Sequence, residues 1–519
     1  MSEPRSRARA LRALSAVRWA ARWAPQGRPG LPTAPRPWPG PLAALAAAML
    51  AAGCAVGPDY QRPAAPLDSG FINAGAAGAN AEPVAADIAR FWRGFGDPAL
   101  SALVERAIAA NGDVRVAQAR LQEARALRRE ADVAGLPAAG LDASATRSVR
   151  PITQEPGASR SERTGTVYDA GFIANWVLDL FGGLRRGREA AAAQVSASEA
   201  GLHAAHTSVA AEVARNYLQL RGLQQRLQVT EASLANQRDS QRLTELRFEA
   251  GRGTQLDVAR ARTLVESTEA ALPALRNGVE TTVFRLATLT AQPPRALLEQ
   301  LGPPAPLPGL PVTDLASLPV GTPAQWLLRR PDLIAAERQL AAATAAIGVA
   351  RADMFPRVSL TGLLGLNAAK FADLGDRDSQ LYSLGVGLVW TPFDFGTLRA
   401  RLAASEARAA QSLASYEQAI ALALEETEGA FSGYNRSAQQ AERLDRAARS
   451  AEEAAQLARL RYEAGVTDFL VVLDAEREVL SNRDLLVQAQ TGTATALVAV
   501  YRALGGGWEA PETLASAAR

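Results

Sequence analysis

The chain repeats itself once, over a distance too long for a solenoid. Trp176-Val-Leu-Asp-Leu-Phe-Gly-Gly-Leu-Arg-Arg186 aligns with Trp390-Thr-Pro-Phe-Asp-Phe-Gly-Thr-Leu-Arg-Ala400 at an offset of 214 residues. The same offset places Arg247-Phe-Glu-Ala-Gly251 on Arg461-Tyr-Glu-Ala-Gly465, Leu256 on Leu470 and Ala261 on Ala475. Earlier in each half the offset is 219, matching Asp113 with Asp332, Leu121 with Leu340, Pro137 with Pro356 and Leu141 with Leu360. A period of this size means two copies of one large unit. The five-residue change falls between two segments that read as strands, where a hairpin loop absorbs a difference in length.

Each half predicts the same order of elements: helix, strand, strand, very long helix, helix. The first helix runs from Pro98 to Ala134 and its counterpart from Pro323 to Met354, ended by Pro137 and Pro356. In the strand Gln380 to Trp390, Tyr382, Leu384, Val386, Leu388 and Trp390 make a large apolar face, while Ser383, Gly385, Gly387 and Val389 make a small one. Tyr168, Phe172, Trp176 and Leu178 likewise oppose Asp169, Gly171, Ile173 and Asn175. Such alternation suits a soluble sandwich or a membrane barrel strand, and aromatics near the ends match the barrel. After each Phe-Gly, Leu184 to Glu249 and Leu398 to Glu463 run 66 residues without Pro, about 100 Å as helix. Leu413, Ile420, Leu424, Phe431 and Tyr434 keep spacings of three, four and seven, as in a coiled coil. The turns at Gly251 and Gly465 are read as helix stops, with Thr254 and Asp468 capping the helices that follow. Helical hairpins result.

One Cys, two His and three Met exclude a disulfide scaffold and leave few ligands for a structural metal. No run of about 20 apolar residues after Cys54 marks a polytopic helical membrane protein. Residues 1–53 hold eight Arg and one Glu, so removing them takes the net charge from +3 to −4. That segment is read as a signal peptide: Arg5, Arg7, Arg9 and Arg12, a Pro-rich stretch, then an apolar run from Leu42 to Ala52. Leu50-Ala-Ala-Gly-Cys54 resembles a lipobox, with Ala51 in the usual Leu position. Acylation is therefore expected at Cys54 (S-diacylglycerol and N-acyl, palmitate included), and Ala55 after it favours outer membrane sorting. The chain divides into a signal segment 1–53, a lipidated segment 54–97, a first repeat 98–290, a Pro-rich extended linker 291–322, a second repeat 323–504 and a loose tail 505–519.

Several motifs together resemble the TolC and OprM outer membrane factor family, in its NodT-like lipoprotein branch. They are Gly57-Pro-Asp-Tyr-Gln-Arg-Pro63, Phe91-Trp-Arg-Gly-Phe-Gly-Asp-Pro-Ala-Leu100, Trp176-Val-Leu-Asp-Leu-Phe-Gly182, Arg329-Arg-Pro-Asp-Leu333 and Val472-Leu-Asp-Ala475. The resemblance implies an α+β membrane protein: a homotrimer whose outer membrane β-barrel takes four strands per chain and continues as a periplasmic α-helical coiled-coil barrel. It implies a passive conduit fed by a periplasmic adaptor and an inner membrane pump, of resistance-nodulation-division type for drugs and other small toxic compounds. Metal-ion efflux and type I secretion are alternative cargoes, and a periplasmic helical adaptor lipoprotein is the alternative class.

By the same resemblance, Leu470 and Asp474 fall at constriction positions, and their spacing puts both on one helix face. Asp257 matches another lumen acid and Tyr462 a gating tyrosine. A basic partner found in some members corresponds to Thr467 here, leaving a TolC-like Asp-Arg lock without its cation. Gly251, Arg252, Gly465 and Val466 match adaptor-contact positions at the hairpin tips, where they also turn the chain. No enzyme constellation competes. His203 and His206 lack a third ligand, and Glu425 and Glu426 near Arg436 read as a solvated face. The negative mature charge, with Arg alternating with Glu, argues against nucleic acid.

Overall fold

The computed structural model describes residues 55–64, 67–68, 70–73, 88–311, 322–327 and 329–508. The signal segment 1–53, the acylation residue Cys54 and residues 509–519 of the tail lie outside the described residues.

After a short 3-10 helix, Phe91–Phe95, come α1 (Pro98–Ala110), α2 (Gly112–Val133), the strands β1 (Ala138–Val149) and β2 (Thr164–Leu178), then α3 (Gly183–Glu249) and α4 (Gln255–Leu289). A short α5 (Pro294–Leu301) and α6 (Pro323–Leu327) lead to the second repeat: α7 (Pro331–Ala352), β3 (Arg357–Ala368), β4 (Gln380–Val389), α8 (Phe395–Glu463) and α9 (Phe469–Ala503). The strands form one antiparallel sheet in chain order, so β2 and β3 pair across the repeat boundary. The hairpin loops, 150–163 and 369–379, take up three of the five residues of the repeat's length change, and the longer outer end of β2 takes up the other two. Helices α3 and α8 hold 67 and 69 residues, each about 100 Å long.

The repeat persists at the level of single hydrogen bonds. Trp176 Nε1 donates to the Gly135 carbonyl at 2.9 Å, and Trp390 Nε1 donates to the Met354 carbonyl at 3.2 Å. Asn111 Nδ2 donates to Leu289 O at 2.9 Å; Arg330, its repeat equivalent, donates to Ala503 O at 3.2 Å. Each tryptophan ties a strand end to the helix that precedes the hairpin. Each of the second pair ties the start of that helix to the last residue of a long one.

These bonds also explain where the expected helices break. The stretch from Pro98 to Ala134 is two helices, because the Asn111 side chain accepts from Asp113 N and Val114 N and starts a new one. Pro331 opens α7 in the same place of the second repeat. The linker is not wholly extended: α5 buries Leu297 and Leu301, and Gln224 Nε2 donates to the carbonyls of Leu301, Gly302 and Pro303. Nor is the tail loose from its first residue. Gly505 to Trp508 are buried, and the Trp508 ring stacks on His203 at 4.5 Å.

The main core sits midway along the helices, where Phe91, Leu100, Tyr217, Trp326, Phe431, Tyr434, Leu497 and Tyr501 meet. Phe91 stacks on Tyr501 at 5.0 Å, and the Trp326 indole donates to Ala503 O at 2.7 Å. Among the described residues α7 alone is long and apolar enough for a membrane helix. It instead packs against α3 and α8, and its Glu337 is buried, accepting from Tyr60 Oη at 2.5 Å and Arg62 at 3.3 Å. Burial and that carboxylate push the Tyr60 phenol up.

Candidate functional site

The sheet has two chemically opposite faces. Leu141, Phe172, Leu364 and Tyr382 stand in one cross-strand row, and Trp176, Leu360 and Val386 in another on the same side. These rows lie open, with Phe172, Leu364, Tyr382, Leu384 and Val386 all exposed. Leaving so many large apolar side chains in water is costly, at about 25 cal/mol per Å². The alternate residues give the other face Asp142, Ser144, Asp169, Asn175, Thr361, Asn367 and Ser383. There Asn367 Nδ2 donates to Asp169 at 2.6 Å. Both outer strands, β1 and β4, have an unpaired edge. A four-stranded sheet cannot close on itself, and an open edge has no place in lipid.

The N-terminal segment begins where this sheet meets the helices. Val56 N donates to Phe181 O, and Arg186 reaches back to the carbonyls of Val56 and Gly57 and to Asp59 at 2.6 Å. Gly57 has φ +105°, and a Cβ there would stand 2.5 Å from the Cα of Gly348, so only glycine lets the two backbones touch. Farther along, the backbone N–H groups of Ile72 and Asn73 bind Glu428 on α8.

At the far end of the long helices the two hairpin tips are built alike. Gly251 N and Arg252 N donate to Phe248 O and Arg247 O; Gly465 N and Val466 N donate to Tyr462 O and Arg461 O. Both glycines have positive φ, +70° and +73°, closing the helix in the left-handed conformation. Gly251, Arg252, Gly465 and Val466 are all exposed. The helix starts differ. Thr254 and Asp257 form a reciprocal capping box, whereas Asp468 holds the cap position without a side-chain hydrogen bond. Asp257, expected as a lumen acid, thus spends its carboxylate on Thr254, at 2.6 Å from the hydroxyl.

Leu470 is 42% exposed and Asp474 is exposed one turn later, while Phe469, Val472 and Leu473 fill the seam against α4, α8 and Tyr462. The pair therefore lies off the packed face. Tyr462 lies on it: the ring is 6% exposed, 5.5 Å from Phe469, with the Arg247 guanidinium 4.1 Å above it. Arg247 Nη2 also donates to Glu463 O at 2.9 Å. The cation beside Tyr462 thus comes from the first repeat, not from the position of Thr467. The Arg-aromatic dipeptide in both repeat motifs was its only sequence signal.

Other charged residues depart from expectation. Glu426 does not face Arg436; it binds Arg330 at 2.7 Å and pairs with Arg502, while Arg330 also holds Asp332 at 2.6 Å. The periodicity gave no hint of a polar cavity of about 150 Å³ between α3, α8 and α9, lined by Gln237, Glu452, Arg459, Glu476 and Arg483. Ser240 Oγ donates to Glu476 at 2.5 Å, but the other carboxylate oxygen and both ends of the Gln237 amide have no partner among the described residues. Burial pushes the Glu476 carboxyl up, and it lowers both His203 and His206. Among the described residues no group of three His, Cys, Asp or Glu could hold a metal ion.

A family model described as outer membrane efflux protein matches residues 103–292 and 322–506. The chain is 35% identical over 427 residues to the pyoverdine export outer membrane protein OpmQ of Pseudomonas putida, covering 81% of this chain and 88% of that protein. It is 34% identical over 475 residues to the outer membrane protein OprJ of Pseudomonas aeruginosa, covering 91% and 97%. The solved structure of the outer-membrane channel OprN superposes with a TM-score of 0.81 at 42% identity, covering 88% of this chain and all of that one. With a sheet greasy on one face and polar on the other, set at one end of paired helical hairpins, the chain belongs to the outer membrane efflux protein family and has the fold of its trimeric channels.

Proposed function

We propose that three copies of the chain close a twelve-stranded barrel in the outer membrane and conduct small organic compounds passively outward, delivered by a periplasmic adaptor and an inner membrane pump. The observation that carries this is the two-faced sheet with both edges open: it needs copies of itself and lipid around it. Relatives named for pyoverdine export and toluene efflux favour small organic cargo over metal ions or protein. Acylation of Cys54 fits the placement of Ala55, whose backbone lies against Gly182 at the junction of sheet and helix. Acyl chains on the preceding residue would start at the periplasmic surface of the outer membrane. The exposed tips at Gly251, Arg252, Gly465 and Val466 meet the adaptor, and Leu470 and Asp474 narrow the entrance above them.

Planar-bilayer recording tests the constriction. Replacing Leu470 and Asp474 together with Ala should raise single-channel conductance several-fold, and Asp474→Asn alone should reduce cation preference by removing a ring of charge. Unchanged conductance and selectivity, with a lowered melting temperature, would assign both residues to packing and move the constriction elsewhere on the hairpins.

A further inference from the structure

The repeat holds down to strand register. Ala138 stands opposite Asn175 in the first hairpin, and their repeat equivalents, Arg357 and Val389, stand opposite each other in the second. The two hairpins are one structure built twice, joined within the chain by a single contact. In that contact β2 pairs with β3, Phe181 stacks on Phe355 at 4.6 Å, and α3 lies along α7. There the helices come very close. A Cβ on Gly183 would stand 3.0 Å from that of Ala352, and one on Gly348 would stand 2.6 Å from Arg186 Cγ.

The repeat equivalents of these contact residues lie uncovered. β4 and β1, equivalent to β2 and β3, are the two open edges. Phe395 and Leu136, equivalent to Phe181 and Phe355, are 41% and 61% exposed. Thr397 and Val133, equivalent to Gly183 and Ala352, are exposed as well. α7 lies along two long helices, α3 and α8, whereas its equivalent α2 lies along α3. In one pair the sizes are exchanged: buried Arg186 against Gly348 corresponds to exposed Ala400 and exposed Arg129. A large residue still meets a small one, which keeps the room between the helices. The two edges differ, so copies join through them head to tail, and a head-to-tail contact that closes makes a ring.

We propose that the contact between copies is this in-chain contact carried one step round the channel: β4 pairs with β1 of the partner subunit, Gly387 opposite its Ser144, and α8 lies on its α2, Ala400 against its Arg129. The contact rests on the barrel assignment above. Its register follows from Ile173 opposite Leu363 in the chain. It sets Leu141 beside Trp390 and Val149 beside Tyr382 on the apolar face, and Ser148 beside Ser383 on the other, whereas a slip of one residue would mix the faces. Within the chain, Val56 O would stand 2.9 Å from a Cβ on Gly348, so the N-terminal segment and Arg186 share the space above that glycine. Between copies Arg129 fills it. Gln118 and Ala214 stand there for Glu337 and Glu428, so the acceptors that hold the segment are missing too. Each chain's N-terminal segment therefore stays on its own body.

Disulfide trapping of the full-length chain in mild detergent tests this. Residues directly opposite on antiparallel strands have Cα atoms about 4.5–5.5 Å apart, within reach of a disulfide. Gly387→Cys with Ser144→Cys should therefore give covalent dimers and trimers on a denaturing gel after oxidation, reversed by reductant. Gly387→Cys with Thr146→Cys sets the thiols on a diagonal and should give at most about a tenth of that yield. Ala400→Cys with Arg129→Cys reads the helix contact and should cross-link copies in the same way. Each single variant should run as a monomer, which discounts Cys54. Cross-linking by the diagonal pair alone overturns the register. A bond closed within one chain, or none in either directly opposed pair while native mass still finds three chains, overturns the contact and leaves the barrel standing. A single chain by native mass overturns both. If the strand variant does not fold, the helix pair decides the matter.

Discussion

Glu476 shows what one buried carboxyl does to such a tunnel. Its folded form holds a proton to higher pH than the unfolded chain, whose ordinary value is 4.5, because burial disfavours the anion. The folded state then binds more protons, so stability is fully present below the ordinary value and is lost as pH rises through the raised one. Glu476→Gln, which mimics the protonated acid, should match wild type at pH 4 and exceed it at pH 8 by about 1 kcal/mol. Thermal melts in detergent at the two pH values check this, and a Gln variant weaker at both would refute it. None of this was legible in the sequence, where Glu476 is one more polar residue on a polar-rich helix. Only the crossing of α3, α8 and α9 puts it beside Ser240 and Gln237. The same holds for Arg247, whose partner Tyr462 lies more than two hundred positions along the chain. Leu470 and Asp474 share an exposed side of α9 because their spacing is local, and a helix turns local spacing into a face.

At the level of elements, the strands were the easiest to read and are the easiest to test. Leu364→Arg places a guanidinium on the apolar face of β3 and should cost about 2–4 kcal/mol of folding free energy in lipid. Thr361→Arg on the opposite face of that strand should leave insertion intact and lower conductance. Refolding yield into vesicles and bilayer recording separate the two, and equal loss of insertion in both would mean the faces are assigned wrongly. Period two survives in the sequence because one side of these strands sees lipid and the other sees polar groups. What the sequence hid were breaks made by single hydrogen bonds. Asn111 divides α1 from α2 through two cap bonds, and α5 forms in a stretch whose prolines suggested extension. A helix-breaking composition is also a helix-starting one when Pro falls at the first turn, as Pro294 does.

For the whole molecule, native mass measurement in mild detergent should give three chains, each beginning at Cys54 and carrying acyl mass. A stable monomer would contradict the shared barrel, and an unacylated terminus elsewhere would remove only the anchor. The length of the two hairpin loops bears on how such an assembly is built. Among the described residues, only 150–163 and 369–379 lie beyond the outer ends of the strands, while every long helix leaves the sheet on the other side. Biogenesis therefore has a fixed polarity. Two short polar tips per chain are all that must be translocated through hydrocarbon, and the hydrophilic bulk never leaves the compartment in which it folds. Because β2 and β3 pair across the whole first pair of long helices, the second hairpin must be synthesised and α3 and α4 folded back before the sheet is complete. A chain ending within α4 therefore carries only the β1–β2 hairpin, and the sheet is complete only when both halves of the chain are present.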